Sequence, residues 1–178
     1  MALIGGCEGG GEGAEGVTSK GQGSAGTTAS VDYNFSRIET LKSRLFDDPD
    51  DEQLLSELGD VFFESQRFPE AIPVYEKAAA INPQNPDVLN DLGLSYFYIG
   101  ETEKALDSIN KAIGADPAFK RAWLSKGFML KAVGNYDEAV ASLNKVKELD
   151  TDGTLAMAAD NFLKEIETSL NIGAKGSD

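Results

Sequence analysis

The stretch LNDLGLSYFYIGETEKALDSINKAIGADP, residues 89–117, has a related stretch on either side of it in the chain. Its Leu92-Gly93 pair corresponds to Leu58-Gly59 upstream, an offset of 93 − 59 = 34 residues. The same offset links Tyr96, Ala105, Ile109, Ala112 and Pro117 to Phe62, Ala71, Tyr75, Ala78 and Pro83 upstream, and to Leu130, Ala139, Leu143, Val146 and Thr151 downstream. The chain therefore contains three copies of a 34-residue unit.

Each unit carries a glycine early and an alanine in its middle, namely Gly59, Gly93 and Gly127 followed by Ala71, Ala105 and Ala139. Glycine inside a helix costs about 1 kcal/mol relative to alanine, so three glycines in phase indicate positions where a second helix comes close. We expect the alanines to be the small partners on that second helix.

A period of 34 with an early Leu-Gly, a central Ala and a late Pro resembles the tetratricopeptide repeat family, and Trp123 stands where that family favours Trp. The resemblance covers residues 52–153. It implies an all-α fold, a right-handed solenoid of antiparallel helix pairs, with repeats at about 52–85, 86–119 and 120–153. An N-terminal helix and a C-terminal capping helix would flank the three units.

The predicted helices cover residues 52–65, 69–82, 86–99, 102–115, 120–133 and 136–149. Breaks within the units begin at Gln66, Gly100 and Gly134, where Gly and Asn residues can supply a left-handed turn. Prolines such as Pro83 and Pro117 mark the breaks between units, because proline cannot continue a helix.

A further helix is predicted over residues 34–46. Ser36 and Glu39 have the spacing of a capping box, which places a helix start there. The apolar residues Phe35, Ile38, Leu41, Leu45 and Phe46 recur every three or four positions and predict one buried face that packs on the first unit. The acidic stretch 47–51 then reads as a solvated turn that leads into the next helix.

The C-terminal helix is predicted over residues 154–170. Its apolar face would consist of Leu155, Ala159, Phe162, Ile166 and Leu170. A repeat stack needs such a helix to cover its last apolar surface. Residues 172–178 are expected to be frayed.

Composition excludes several classes of function. The chain has no His and a single Cys, so imidazole bases, Cys-His nucleophile pairs and ordinary zinc sites are not available. A net charge of −14 disfavours nucleic acid and anionic membranes as partners. Acidic residues at Glu148, Asp150 and Asp152 copy half of a calcium loop, but Ala159 stands where the bidentate Glu should be. We therefore predict no enzyme activity, cofactor, metal or membrane span.

Residues 1–33 carry ten of the 19 glycines and are predicted to form a flexible tether. Cys7 follows Met-Ala-Leu-Ile-Gly-Gly, which resembles the end of a bacterial lipoprotein signal and makes this Cys a lipidation candidate. Too few apolar residues precede it for the core of a signal segment, so the chain as given is expected in the cytoplasm. The alternative is an envelope lipoprotein whose signal lies upstream of Met1.

The resemblance implies a binding function, in which the first helices of the units line a concave groove for a peptide or helix of another protein. Some family members hold a chaperone's C-terminal carboxylate with Lys, Asn and Arg residues at fixed places. The matching positions here are Ser56, Asp60, Asp91, Arg121 and Ser125, and only Arg121 keeps the required charge. A chaperone tail is therefore not the expected guest.

The groove is instead expected to be apolar with an acidic rim. Its apolar residues are Phe63, Leu94, Phe97, Tyr98, Leu124 and Phe128, and its polar edge comprises Asp60, Glu64, Asp87, Asn90, Asp91 and Arg121. A basic amphipathic helix would suit such a groove. Two alternatives are that these side chains pack between neighbouring units, or that the helix over 34–46 covers them.

The role predicted from these features is a non-enzymatic adaptor or scaffold, with self-association possible. Two other roles remain open at this point. One is a lipid-anchored envelope scaffold of the kind used in secretion or cytochrome maturation, and the other is a regulatory subunit of an enzyme.

Overall fold

The computed structural model describes residues 25–150 and 153–175, and their side chains over 33–150 and 153–171. These residues form eight helices and no strand. The helices are α1 Ala25–Asp47, α2 Glu52–Glu64, α3 Phe68–Ile81, α4 Pro86–Tyr98, α5 Thr102–Ala115, α6 Lys120–Ala132, α7 Tyr136–Leu149 and α8 Thr154–Lys175. The predicted all-α repeat is confirmed, and the six repeat helices end within one residue of the predicted bounds.

The 34-residue period extends beyond the three predicted units. Helices α2, α4, α6 and α8 begin at residues 52, 86, 120 and 154, so α8 starts where a fourth unit would start. It packs on α6 and α7 in the way that α4 packs on α2 and α3. α8 therefore takes the place of another first helix and closes the stack.

A residue in the left-handed backbone conformation separates the two helices of every unit. Its φ is 58° at Gln66, 88° at Gly100 and 82° at Gly134. In the first unit the Arg67 N–H donates to the Phe62 carbonyl across this residue at 2.8 Å, and the equivalent bonds of the other units measure 2.9 Å. This is the Schellman ending of a helix, which normally uses glycine. Gln66 is the one non-glycine with positive φ among the described residues.

The first helices form an inner layer and the second helices an outer layer. α2 contacts α4 and α4 contacts α6, whereas within the described residues α3 and α5 do not touch, and neither do α5 and α7. Helices that meet on one side and spread apart on the other give a curved stack. The inner layer of α2, α4 and α6 consequently lines its concave face.

The early glycines lie where the two helices of a unit approach each other. A Cβ built at Gly59 would come within 2.4 Å of the Tyr75 ring, at Gly93 within 2.9 Å of Ile109, and at Gly127 within 2.6 Å of Leu143. The central alanines Ala71, Ala105 and Ala139 are fully buried beside them. The prediction of close approach is thus confirmed, although the side chain facing each glycine belongs to a large residue four positions after the alanine.

The N-terminal helix differs from the prediction. It begins at Ala25, nine residues early and inside the segment assigned to a tether, so the capping box at Ser36 is wrong. Ile38 and Leu41 are buried as predicted, whereas Phe35 is 63 % exposed and Phe46 is 88 % exposed. Among the described helices α1 contacts only α2, and this single contact does not bury its whole apolar face. Residues 1–24, with Cys7, lie outside the described residues.

The C-terminal helix also runs past its predicted end. α8 continues to Lys175, into the tail that was expected to fray from residue 172. Ala159 and Ile166 are buried against unit three as predicted, but Leu170 is exposed. Asp150 fixes the start of this helix: its carboxylate accepts from Lys120 Nζ at 2.6 Å and from the Ala156 N–H at 2.7 Å.

No helix in the described part of the chain combines the length and the apolar character that a membrane crossing requires.

Candidate binding groove

A continuous row of aromatic rings runs along the concave face. Phe63 lies edge-on to Phe68 with ring centroids 5.3 Å apart, and Phe68 stacks on Tyr98 at 4.6 Å. The row continues from Phe97 to Phe128 at 5.4 Å. Neighbouring aromatic side chains in such geometries stabilise one another by about 0.5–1.5 kcal/mol beyond burial alone. The row therefore forms a firm apolar floor that links the three units.

The apolar end of the groove is a cavity of about 240 Å³ between α4, α6 and α8. Its lining residues are Leu94, Tyr98, Leu124, Ser125, Phe128 and Phe162. Tyr98 is 51 % exposed at its mouth. We call this cavity the apolar pocket.

The acidic end is a second cavity of about 380 Å³, between α2, α4 and α6. Its lining residues are Ser56, Asp60, Phe63, Glu64, Tyr75, Asp87, Asp91 and Arg121. Arg121 donates to Asp87 at 2.8 Å and to Asp91 at 3.2 Å, and the Tyr75 hydroxyl donates to Asp60 at 2.8 Å. We call this cavity the acidic pocket.

Burial of carboxylates in the acidic pocket changes their protonation. Burial raises the pKa of Asp91 from 3.8 to about 6, although Arg121 opposes the shift. Burial likewise raises the pKa of Asp60, against the hydrogen bond from Tyr75. The pKa of the Tyr75 hydroxyl is raised too, mainly by burial and by the charge on Asp60. The pocket therefore holds negative charge at a cost to the folded state.

Asn90 does not lie on the acidic rim, where it was predicted. Its side chain is only 1 % exposed, because it packs inside the solenoid beside Asp91. Its Nδ2 donates to Asp91 Oδ1 at 2.9 Å, whereas its own Oδ1 is buried and has no hydrogen-bond partner among the described residues. Such a buried, unpaired acceptor is uncommon in folded proteins.

Two alternatives to an open groove were that the N-terminal helix covers it and that its side chains pack between neighbouring units. α1 contacts α2 and no other described helix, so it leaves the faces of α4 and α6 uncovered. Leu94, Phe97 and Phe128 are half-buried and pack partly on the core between units. These side chains thus serve as the wall of the groove, and Tyr98 is its most accessible aromatic residue.

Two groove residues were missed by the sequence prediction. Phe162 lies 34 positions after Phe128, and their rings are 5.8 Å apart, so the period itself could have identified it. Phe68 reaches the groove from the start of α3, and no pattern in the sequence signals that it stacks on Tyr98.

In the described part of the chain, no group of three His, Cys, Asp or Glu side chains is arranged so that it could hold a metal ion. Asp152, in the half calcium loop, lies outside those residues.

Comparison with protein families identifies the repeat. One model, described as TPR repeat, matches residues 59–100, and another, described as tetratricopeptide repeat, matches residues 90–154. Together they span more than half of the chain. The chain is a tetratricopeptide repeat protein. Among curated protein sequences none matches it.

Solved structures with the same fold include other tetratricopeptide repeat proteins. A crystal structure of MamA has a TM-score of 0.61 at 20% identity and covers 78% of this chain and 89% of that one. The first TPR of Spaghetti (RPAP3), bound to the HSP90 peptide SRMEEVD, has a TM-score of 0.62 at 25% identity, with coverages of 67% and 93%. The TPR2B domain of yeast Sti1, in a complex with pHsp70, reaches 0.64 at 21%, with coverages of 66% and 97%.

Proposed function

We propose that this protein is a non-enzymatic adaptor whose concave groove binds a basic, amphipathic helix of another protein. The observation that carries the proposal is the pairing of an acidic pocket with an apolar pocket on one uncovered face. Helix-in-groove recognition needs an apolar floor for the guest's apolar face and a rim of opposite charge.

Similar proteins support the general role. The RPAP3 repeat domain binds an HSP90 peptide and the Sti1 domain binds pHsp70. Tetratricopeptide repeats are interaction modules, and none of the features of this groove requires chemistry on the guest.

The guest differs in charge from the one bound to RPAP3. The peptide SRMEEVD carries three acidic residues. In the present chain Asp60 and Asp91 line the acidic pocket. They stand at positions where family members that bind a C-terminal carboxylate carry neutral or basic side chains. Like charges repel at short range, so an acidic tail is disfavoured and a basic segment is favoured.

The experiment is a selection of peptides from a random displayed library on the full chain. We expect the selected peptides to be basic, amphipathic and helical, and to lose most of their affinity for the Tyr98→Ala variant. Truncating a central aromatic anchor typically costs about 2 kcal/mol, which corresponds to a thirtyfold loss of affinity. The matched control is Ile81→Ala, which removes another exposed apolar side chain at the end of α3.

Acidic selected peptides, or equal binding to wild type and Tyr98→Ala, would contradict the proposal. Tyr98→Ala is preferred to a change at Phe97 or Phe128, because those two rings pack on each other and on the core. Loss of binding after their truncation would not separate a lost anchor from a damaged fold.

A further inference from the structure

We propose that the acidic pocket is a specific site for one basic side chain of the guest, and that the apolar pocket binds an apolar side chain of the same guest about two helical turns away. This inference rests on the proposed function, and it states what a guest must present to the groove.

Charge is the first argument. Asp60, Glu64, Asp87 and Asp91 line the acidic pocket together with one guanidinium, that of Arg121, which leaves a net charge of minus three on the lining. Arg121 already binds Asp87 and Asp91, so a guanidinium is compatible with the pocket's geometry. Asp60 and Glu64 lie on α2, where Asp60 accepts from the Tyr75 hydroxyl and Glu64 lies 3.8 Å from Arg37 of α1. With Arg37 counted beside Arg121, the four carboxylates still carry a net charge of minus two. A further cation from the guest would neutralise charge that the fold leaves in excess.

The unpaired amide oxygen of Asn90 is a second and independent argument. Asn90 Nδ2 donates to Asp91 Oδ1 at 2.9 Å, whereas Asn90 Oδ1 is buried without a hydrogen-bond partner among the described residues. A buried acceptor without a donor destabilises the folded state. This cost falls beside Asp91 and adds to that of the buried carboxylate in the chain without a guest.

The protonation of the pocket supports the same conclusion. Burial raises the pKa of both Asp60 and Asp91, so these charged carboxylates destabilise the folded chain in the absence of a guest. The groups that face Asp91 are Arg121 from α6, Asp60 from α2, Tyr75 from α3 and Asp87 from its own helix. Asp60 faces Tyr75, Glu64, Arg121 and also Arg37 of α1. Two cations, Arg37 and Arg121, thus stand against four carboxylates. Residues that cost stability are common at binding sites, where the ligand supplies the missing interaction.

The spacing of the two pockets follows from α4, which contributes to both. Asp87 and Asp91 line the acidic pocket, and Leu94 and Tyr98, each seven positions later, line the apolar pocket. Seven residues of an α-helix span about 10 Å. A helical guest presents residues seven positions apart on one face, so a basic and an apolar residue at that separation can enter the two pockets together.

The experiment uses defined peptides and the full chain. The host is a labelled, helical 18-residue peptide of alanine and glutamine with leucines at positions 4, 8, 11 and 15. A single arginine is placed at position 1 or at position 18, each seven positions from a leucine on the same face, since the guest could run in either direction. A third peptide carries the arginine at position 6, on the opposite face. Binding is followed by fluorescence anisotropy.

We expect one of the two same-face peptides to bind at least tenfold more tightly than the opposite-face peptide. This difference should vanish in the double variant Asp60→Asn, Asp91→Asn. It should persist in the double variant Glu103→Gln, Asp137→Asn, which also removes two negative charges but takes them from the outer helices α5 and α7. The control pair separates a specific site from a general effect of net charge.

Failure of this inference is distinguishable from failure of the proposed function. If the three peptides bind equally, and Tyr98→Ala weakens the binding of all three, the groove binds helices but the acidic pocket is not a site for a basic side chain. If both double variants reduce binding to the same extent, the effect is one of long-range charge and the site is overturned. If no peptide binds, the proposed function and the inference both fail.

Discussion

Gln66 adopts a backbone conformation that the other two units give to glycine. Its φ of 58° lies in the left-handed region, where a residue with a Cβ pays about 1 kcal/mol or more. We expect Gln66→Gly to stabilise the protein by about 1 kcal/mol, measured as an upward shift of the urea denaturation midpoint.

The matched control is Gln53→Gly, at an exposed position in the first turn of α2. Here the same substitution should destabilise the protein, by at most about 1 kcal/mol, because glycine increases the conformational freedom of the unfolded chain and relieves no strain in the helix. Shifts of the same sign at both positions would show that residue 66 is not strained.

Gly93 and Gly114 test the packing of the helix pairs. A Cβ at Gly93 would approach Ile109 to 2.9 Å, whereas at Gly114 a Cβ would meet no atom within 4 Å. Gly93→Leu should therefore destabilise by about 1–3 kcal/mol, because its volume is forced between α4 and α5. Gly114→Leu should leave stability unchanged or raise it by about 0.5–1 kcal/mol. Equal midpoints for the two variants would remove the basis for the helix pairing.

Asp91 should make stability depend on pH in an unusual direction. Its pKa rises from 3.8 to about 6 on folding, so the folded state binds a proton more readily than the unfolded chain. For this group, stability therefore increases as the pH falls from above 6 towards 4. Asp91→Asn should stabilise the protein by about 1–3 kcal/mol at pH 7.5 and by almost nothing at pH 4.

Thermal melting of wild type and Asp91→Asn across this range measures the effect. Asp137→Asn removes a carboxylate from the first turn of the outer helix α7, where negative charge is favourable; it is the control and should not stabilise the protein at pH 7.5. A gain in melting temperature for Asp91→Asn that is the same at both pH values would mean that the carboxylate is not held in a costly environment.

At the scale of the elements, α8 occupies the place of a fourth first helix. It covers Leu143 and Val146 of unit three with Ala159 and Ile166, all of which are fully buried. Ending the chain at Gly153 would expose this surface, and we expect the shortened protein to self-associate and to melt at a lower temperature.

Size-exclusion chromatography with light scattering detects that association. A chain that ends at Lys175 and keeps all of α8 is the control and should remain like wild type. A protein without α8 that stays monomeric with unchanged melting would show that the helix is not a cap.

The repeat helices could be predicted from sequence because their signals recur three times. A glycine, an alanine and a turn residue at fixed places identify a unit even where one of them is replaced, as at Gln66. The period also places the start of α8 at residue 154. Such signals report local geometry that each unit must satisfy by itself.

The flanking helices could not be bounded in the same way. Residues 25–33 contain Gly26, Thr27 and Val31, which are weak helix formers, and the first clear start signal is the Ser36 to Glu39 spacing inside the helix. α1 and α8 also have neighbours on one side only, so their outer residues are not constrained to be apolar or polar. The sequence therefore contains few signals that mark where these two helices begin and end.

The groove was predictable in its lining and less so in its details. Residues of the first helices follow the period, which places Phe63, Leu94 and Phe128 on the concave face. The burial of Asn90 and the stacking of Phe68 on Tyr98 depend on how α3 and α6 approach α4. Those approaches are set by tertiary packing and not by any spacing in the chain.

At the scale of the whole molecule, the groove changes character along the solenoid. Equivalent positions of α2, α4, α6 and α8 are Asp60, Leu94, Phe128 and Phe162, so the surface passes from acidic at α2 to aromatic at α8. A guest with a basic end and an apolar end would consequently bind in one direction. The net charge of −14 would also attract such a guest from a distance at low salt.

The most direct test of this account is a nuclear magnetic resonance titration of the ¹⁵N-labelled full chain with a helical peptide that has leucines in the middle of one face and an arginine at each end of the same face, seven positions from a leucine. We predict that the amide signals that shift belong to α2, α4 and α6, with Tyr98 and Asp91 among them, and that replacing the arginines by glutamates abolishes binding. Shifts confined to the outer helices α3, α5 and α7, or equal binding of the acidic peptide, would contradict the claim that the concave face is the binding site.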